Sequence, residues 1–101
     1  MTIKEFKIQL AVGSLPYHVR SEWAKNLDTP IDILQLLCDD KKSNVRYIII
    51  HNSNTTEAIL AYIICNDPDQ YIRDAATNKK IERFKVKLEG IKDKLKDAGV
   101  A

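Results

Sequence analysis

Glycine and proline number only three each in this 101-residue chain, and cysteine (two), methionine (one) and tryptophan (one) are scarcer still. Three scattered glycines cannot form the Gly-rich loop that wraps a phosphate, which removes the nucleotide-binding motifs that depend on one. The two cysteines, Cys38 and Cys65, have neither metal-site spacing nor the density of a secreted disulfide scaffold. Each closes an apolar helical run, where free cysteine behaves as a small buried hydrophobe, so both are expected to be buried free thiols. No apolar stretch reaches the roughly 18 residues of a membrane-spanning helix. The opening Met1-Thr-Ile-Lys-Glu-Phe-Lys7 lacks the charged-then-apolar layout of a signal peptide. A cytoplasmic protein without membrane contact is therefore expected, with the glycosylation sequon Asn54-Thr55-Thr56 left idle.

A strong charge imbalance is also missing. The net charge is +2, which by itself does not argue for nucleic acid. Residues 1–78 carry 8 Lys/Arg against 10 Asp/Glu, whereas residues 79–101 carry 8 against 4. A mildly acidic body is thus followed by a basic tail. With 45% hydrophobic and 30% charged residues, the chain has the composition of one small globular domain.

What the chain does contain is a repeat. Val45-Arg-Tyr-Ile-Ile-Ile-His-Asn52 echoes Val19-Arg-Ser-Glu-Trp-Ala-Lys-Asn26 before it and Ile72-Arg-Asp-Ala-Ala-Thr-Asn-Lys79 after it. Between the copies, Leu27-Asp-Thr-Pro-Ile-Asp-Ile-Leu34 and Ser53-Asn-Thr-Thr-Glu-Ala-Ile-Leu60 stand in register at an offset of 26. A period of 26 to 27 residues is the mark of a repeat architecture. The expected organisation is a partial repeat over 1–25, repeats over 26–52 and 53–79, and an amphipathic helix over 80–99.

Taken in order, Thr2 and Glu5 form a capping box ahead of Ile3, Phe6 and Leu10, and Gly13 is placed to end that helix. A short helix with Trp23 and Ala24 inward is expected after Pro16. Thr29 is expected to cap the next helix with Pro30 at its first position; Ile33, Leu34, Leu36 and Leu37 form its apolar face. Tyr47 to Ile50 alone reads equally as a strand. Its counterparts Ser21-Glu-Trp-Ala24 and Asp74-Ala-Ala-Thr77 have poor strand character, so helix is expected there. Glu57 to Asn66 repeats the longer helix and Pro68 closes it. In the tail, Ile81, Phe84, Leu88, Ile91, Leu95 and Ala98 are spaced 3, 4, 3, 4, 3, a heptad seam. Its flanks, Lys85, Lys87, Lys92 and Lys94, set like charges against one another in a parallel homodimer. A monomer is expected, with the tail laid over the open end of the repeats as a cap; a docking helix for another protein and a self-association helix are the alternatives.

The run Asn26-Leu-Asp-Thr-Pro-Ile-Asp-Ile-Leu-Gln-Leu-Leu37, a polar turn, then Val45-Arg46 and Asn52, resembles the leucine-rich repeat variant, a HEAT-like helical repeat. The resemblance covers about residues 14–79. It implies an all-α fold, a short right-handed α-solenoid, to which the tail adds a long C-terminal capping helix. It also implies that Arg20, Arg46 and Arg73, together with Asp40 and Asp67, brace neighbouring repeats. One member of that family carries an iron–sulfur module; this chain lacks the cysteine cluster for it, so no cofactor is expected.

Enzyme chemistry finds little support. His18 and His51 occupy different repeat positions with no nucleophile or ligand at useful spacing, and Asp39-Asp40 beside Lys41-Lys42 reads as a solvated turn. The expected function is non-enzymatic: a small helical-repeat adaptor or modulator that recognises an unidentified protein. The alternative is a nucleic-acid-binding accessory protein. It would use the arginine ladder and the tail residues Lys79, Lys80, Arg83, Lys85, Lys87, Lys92 and Lys94.

Overall fold

Each turn between helices is closed by side chains whose polar atoms bond backbone groups, and this short-range chemistry sets the architecture. The computed structural model describes residues 1–97, and their side chains except those of Asp93, Leu95, Lys96 and Asp97. Among the described residues there are six helices and no strand. They are α1 (Ile3–Ala11), α2 (Tyr17–Lys25), α3 (Ile31–Leu37), α4 (Ser43–His51), α5 (Glu57–Asn66) and α6 (Gln70–Asp97). The fold is all-α, and among the described residues no helix is long and apolar enough to cross a membrane.

The punctuation in the sequence acts largely where expected. Thr2 Oγ1 accepts from the Glu5 N–H at 3.1 Å and so caps α1. Gly13, at φ 74°, ends it. Its N–H bonds the Leu10 carbonyl and the Ser14 N–H the Gln9 carbonyl, the paired bonds of a Schellman turn. Thr29 behaves differently from expectation. Its hydroxyl donates to the Trp23 carbonyl at 2.6 Å, and Pro30, not Thr29, takes the cap position of α3. Thr55 makes the same bond to Ile49 at 2.6 Å, leaving Thr56 to cap α5 through the Ile59 N–H. Threonine at this repeat position therefore fastens the turn back onto the preceding helix.

The apolar run Ile48 to Ile50 is helical. Ile49 and Ile50 are fully buried and Ile48 packs at the core margin. The core joins Phe6, Ile33, Leu34, Leu37, Val45, Leu60, Ile63 and Ile72, all essentially inaccessible. Phe6 of α1 stacks on Trp23 of α2 with ring centroids 4.3 Å apart, which adds an aromatic contact to the burial of the first helix. Helix α4 lies between α2 and α6, and α5 packs along the first part of α6.

The tail departs from the expected cap. The Ile72-Arg73 segment does not stop at Lys79; it runs unbroken into the tail as one 28-residue helix, about 42 Å long. Ile72 and Ala76 are buried, whereas Ile81, Phe84, Leu88 and Ile91 are exposed, Phe84 at 63%. At about 100° per residue, the face carrying Ile72, Ala76 and Arg83 and the face carrying the heptad seam lie about 120° apart. Once α5 has fixed the first face against the body, the seam points away from it. The helix end projects, and the molecule measures 58 × 30 × 18 Å. Leu95 and Ala98, the last two seam positions, lie outside the described side chains.

Candidate functional site

Arg20 and Arg46 pair with Asp40 and Asp67 inside the fold. Arg20 Nε donates to Asp40 Oδ2 at 2.7 Å and Arg46 Nε to Asp67 Oδ2 at 2.7 Å. Each guanidinium also gives an Nη1–H to a carbonyl at 2.6 Å: Leu15 for Arg20 and Asp40 for Arg46. The carboxylates are held in turn. Asp40 accepts the Lys42 N–H and Asp67 the Asp69 N–H, both at 2.9 Å. Asp40 and Asp67 thus receive a charge from the preceding repeat while they cap their own turn. All four side chains are buried, and each charge is paired and further hydrogen-bonded to the backbone, which is the condition under which buried charge is tolerated.

Arg73 stands at the open end of this row. It repeats the carbonyl bond, to Asp67 at 2.5 Å, and turns to Gln70 at 2.5 Å where its predecessors hold an aspartate. Its side chain is half-buried. A second ladder runs alongside. Asn52 Nδ2 bonds the carbonyls of Ala24 and Asn26 at 2.8 and 3.0 Å, and Asn54 Nδ2 bonds that of Leu27. By register the next rung belongs to Lys79, which is half-buried and lies 3.6 Å from Glu82. Arg83 fills it instead, bonding the Thr55 carbonyl at 2.6 Å and lying 3.5 Å from Glu57.

The tail cations consequently divide. Arg83 is structural, Lys79 lies 3.6 Å from Glu82, and Lys80 is half-buried. Lys85, Lys87, Lys92 and Lys94 are exposed on the projecting end, so the structure separates them from the arginines rather than joining the two into one basic surface.

A site not anticipated from the sequence opens between α4 and α6. Tyr47, His51, Tyr71, Asp74, Ala75, Asn78, Lys79 and Glu82 line a groove of about 250 Å³. Tyr47 stacks on Tyr71 with centroids 5.7 Å apart and touches the His51 ring at 4.7 Å. A hydrogen bond to Tyr47 raises the pKa of Tyr71. Desolvation lowers that of His51, and Lys79 lowers it further against the opposing pull of Glu82. The neutral imidazole is thereby favoured in a surface that is aromatic and mixed in charge. The signal for this groove lay in the repeat itself. Positions 44, 47, 48 and 51 correspond to 71, 74, 75 and 78, the face left over once core and ladder are subtracted.

Elsewhere the residues with chemical potential stay apart. His18 is exposed, as is Asp39, whose Oδ1 accepts the Tyr62 hydroxyl at 2.8 Å. Among the described residues no three His, Cys, Asp or Glu side chains are grouped to hold a metal ion. Both thiols are free, but only Cys38 is buried, and burial pushes its pKa up to about 12. Cys65 is exposed because it is not the counterpart of Cys38. At the offset of 26, Cys38 aligns with Ile64 and Cys65 with the exposed Asp39. Comparison with family models, curated proteins and solved structures returned no match to this chain.

Proposed function

We propose that this chain is a non-enzymatic protein-recognition module, a small adaptor or modulator of a larger complex, built as a short right-handed α-solenoid of HEAT-like repeats. The observation that carries the reading is the open tyrosine groove between α4 and α6. Tyrosines with neighbouring apolar and mixed-charge groups suit a protein surface, because each supplies a large rigid area and a hydroxyl. Asp74 and Glu82 within the same groove disfavour a phosphate backbone. Nor are Arg20 and Arg46 available for one, since both are buried and paired with Asp40 and Asp67. The alternative, nucleic-acid binding, retains the exposed Lys85, Lys87, Lys92 and Lys94.

The test is capture of bound material from the source cell by the tagged protein, with and without nuclease, beside the Tyr47→Ala/Tyr71→Ala variant. The reading expects a specific protein that survives nuclease and is lost with the two tyrosines. Recovery only through nucleic acid, abolished by digestion and by raised salt, supports the alternative instead.

A further inference from the structure

We propose that the projecting end of α6 is one half of a heterotypic helix pair, and that its partner is an amphipathic helix with acidic residues flanking its apolar stripe. The inference deepens the protein-recognition reading and rests on it. Ile81, Phe84, Leu88 and Ile91 are all exposed and fall within about 80° of the helix circumference. A stripe that narrow, repeating 3 and 4, is the seam of paired helices rather than the broad apolar face that settles on lipid. It cannot close on its own body, because α5 holds the face about 120° away.

The edges of the stripe choose the partner. Taking Ile81 and Leu88 as a positions, the e positions are Lys85 and Lys92 and the g positions Lys87 and Lys94. Charges at e and g set partner and orientation in such pairs. In a parallel pair of two copies Lys87 would face Lys92; in an antiparallel pair Lys85 would face Lys92 and Lys87 would face Lys94. Either arrangement opposes lysine with lysine, so a second copy is disfavoured whichever way it runs. A helix with Glu or Asp at its own e and g positions satisfies every edge and covers the seam. The acidic residues of this chain's tail do not compete, since Glu82 and Glu89 both occupy b positions away from the seam.

The experiment uses the full chain and a fluorescent peptide of three heptads with Leu at a and d and Glu at every e and g. A twin peptide carries Lys at e and g, and phosphatidylserine-containing vesicles form a third arm. The expected result is saturable binding of the acidic peptide alone, weakened by salt. Leu88→Asp should reduce that affinity about 30-fold or more; Phe84→Ser serves as a second seam variant. Changing Lys85, Lys87, Lys92 and Lys94 to Glu should invert the preference toward the basic peptide. All six positions are exposed, so far-UV circular dichroism of the body should stay unchanged. The proposal is overturned by absence of saturable binding, by binding indifferent to Leu88→Asp, by preference for the vesicles, or by dimerisation that requires the seam. Capture from the source cell separates this failure from failure of the wider reading. If the peptide fails while a nuclease-resistant protein is still recovered, recognition stands and only the helix pair falls.

Discussion

Replacing Arg46 by alanine is the sharpest test of whether the ladder is structural. The change removes the 2.7 Å bond to Asp67 Oδ2 and the 2.6 Å bond to the Asp40 carbonyl. It leaves Asp67 with its side chain 1% exposed and only the Asp69 N–H as compensation. Breaking one side of a buried pair costs about 3–5 kcal/mol, because the other charge is stranded. A domain of this size has about 5–15 kcal/mol in total, and each kcal/mol moves Tm by about 4–8 °C. Thermal melts followed by circular dichroism should therefore fall by about 12 °C or more. Arg46→Lys keeps the charge but not the fork, and should lie between. In Arg46→Met/Asp67→Leu no charge is stranded, and the double variant should recover much of the loss. Arg73→Ala is the internal control: its side chain is half-buried and bonds Gln70 rather than a carboxylate, so about 1 kcal/mol is at stake. Equal small shifts for Arg46→Ala and Arg73→Ala, or an unchanged melt with loss of a salt-sensitive affinity, would refute the structural assignment.

Further measurements probe other parts of the molecule. In the native protein a thiol reagent should modify Cys65 at once and Cys38 only on unfolding, since Cys38 is buried with its pKa at about 12; equal native rates would contradict this placement. A chain ending after Lys85 should remain folded because the described side chains it removes, residues 86–92 and Lys94, are exposed, whereas one ending after Lys80 also loses Arg83 and its bond to Thr55 and should melt lower by circular dichroism. His51 should titrate by NMR below its ordinary value of 6.5. Because its folded pKa is depressed, the unfolded chain takes up the proton first as pH falls. Its contribution is full above 6.5 and declines from there through the folded value. His51→Gln should flatten that part of the stability profile in urea titrations, and an unaltered slope would exclude the effect.

The repeat made much of this fold legible because it lets three weak local signals vote together. Ile48 to Ile50 read alone is a strand; read with Trp23-Ala24 and Ala75-Ala76 it is a helix, and so it folds. Arg20, Arg46, Asp40 and Asp67 could be singled out for the same reason, since a charged residue recurring at the period is held by something that also recurs. What failed were features that break the period. Cys65 departs from the expected burial because one residue is added between it and Asp67, so that the offset passes from 26 at Leu34/Leu60 to 27 at Arg46/Arg73. The extra residue is absorbed where α5 runs to Asn66, against the end of α3 at Leu37. Thr29 departs from the expected cap because a threonine before a helix offers its oxygen as cap and its proton as donor equally well, and composition does not say which the geometry will use.

The tail shows the remaining gap most clearly. Its heptad spacing was visible, but spacing fixes only the phase of the stripe within the tail. Whether the stripe meets the body depends on its phase relative to Ile72 and Ala76, and hence on whether the helix is continuous between Thr77 and Ile81. Asn78-Lys79-Lys80 contains neither glycine nor proline, so nothing there breaks a helix. Counting without interruption from Ile72 at about 100° per residue already places Ile81 half a turn away. Arg83 is on the counted face with Ile72, and there it is found, bonding the Thr55 carbonyl in the rung that Lys79 leaves vacant. The same count that moves Arg83 from surface cation to structural clamp turns Phe84 and Leu88 outward. Capping the body and displaying the seam are thus alternatives set by one dihedral path. A break introduced at Asn78, by Asn78→Pro, should release the choice: the tail would gain freedom to fold back, and Phe84 would become protected in hydrogen exchange of its neighbouring amides. If those amides exchange as freely as in the parent chain, helix phase is not what keeps the seam off the body.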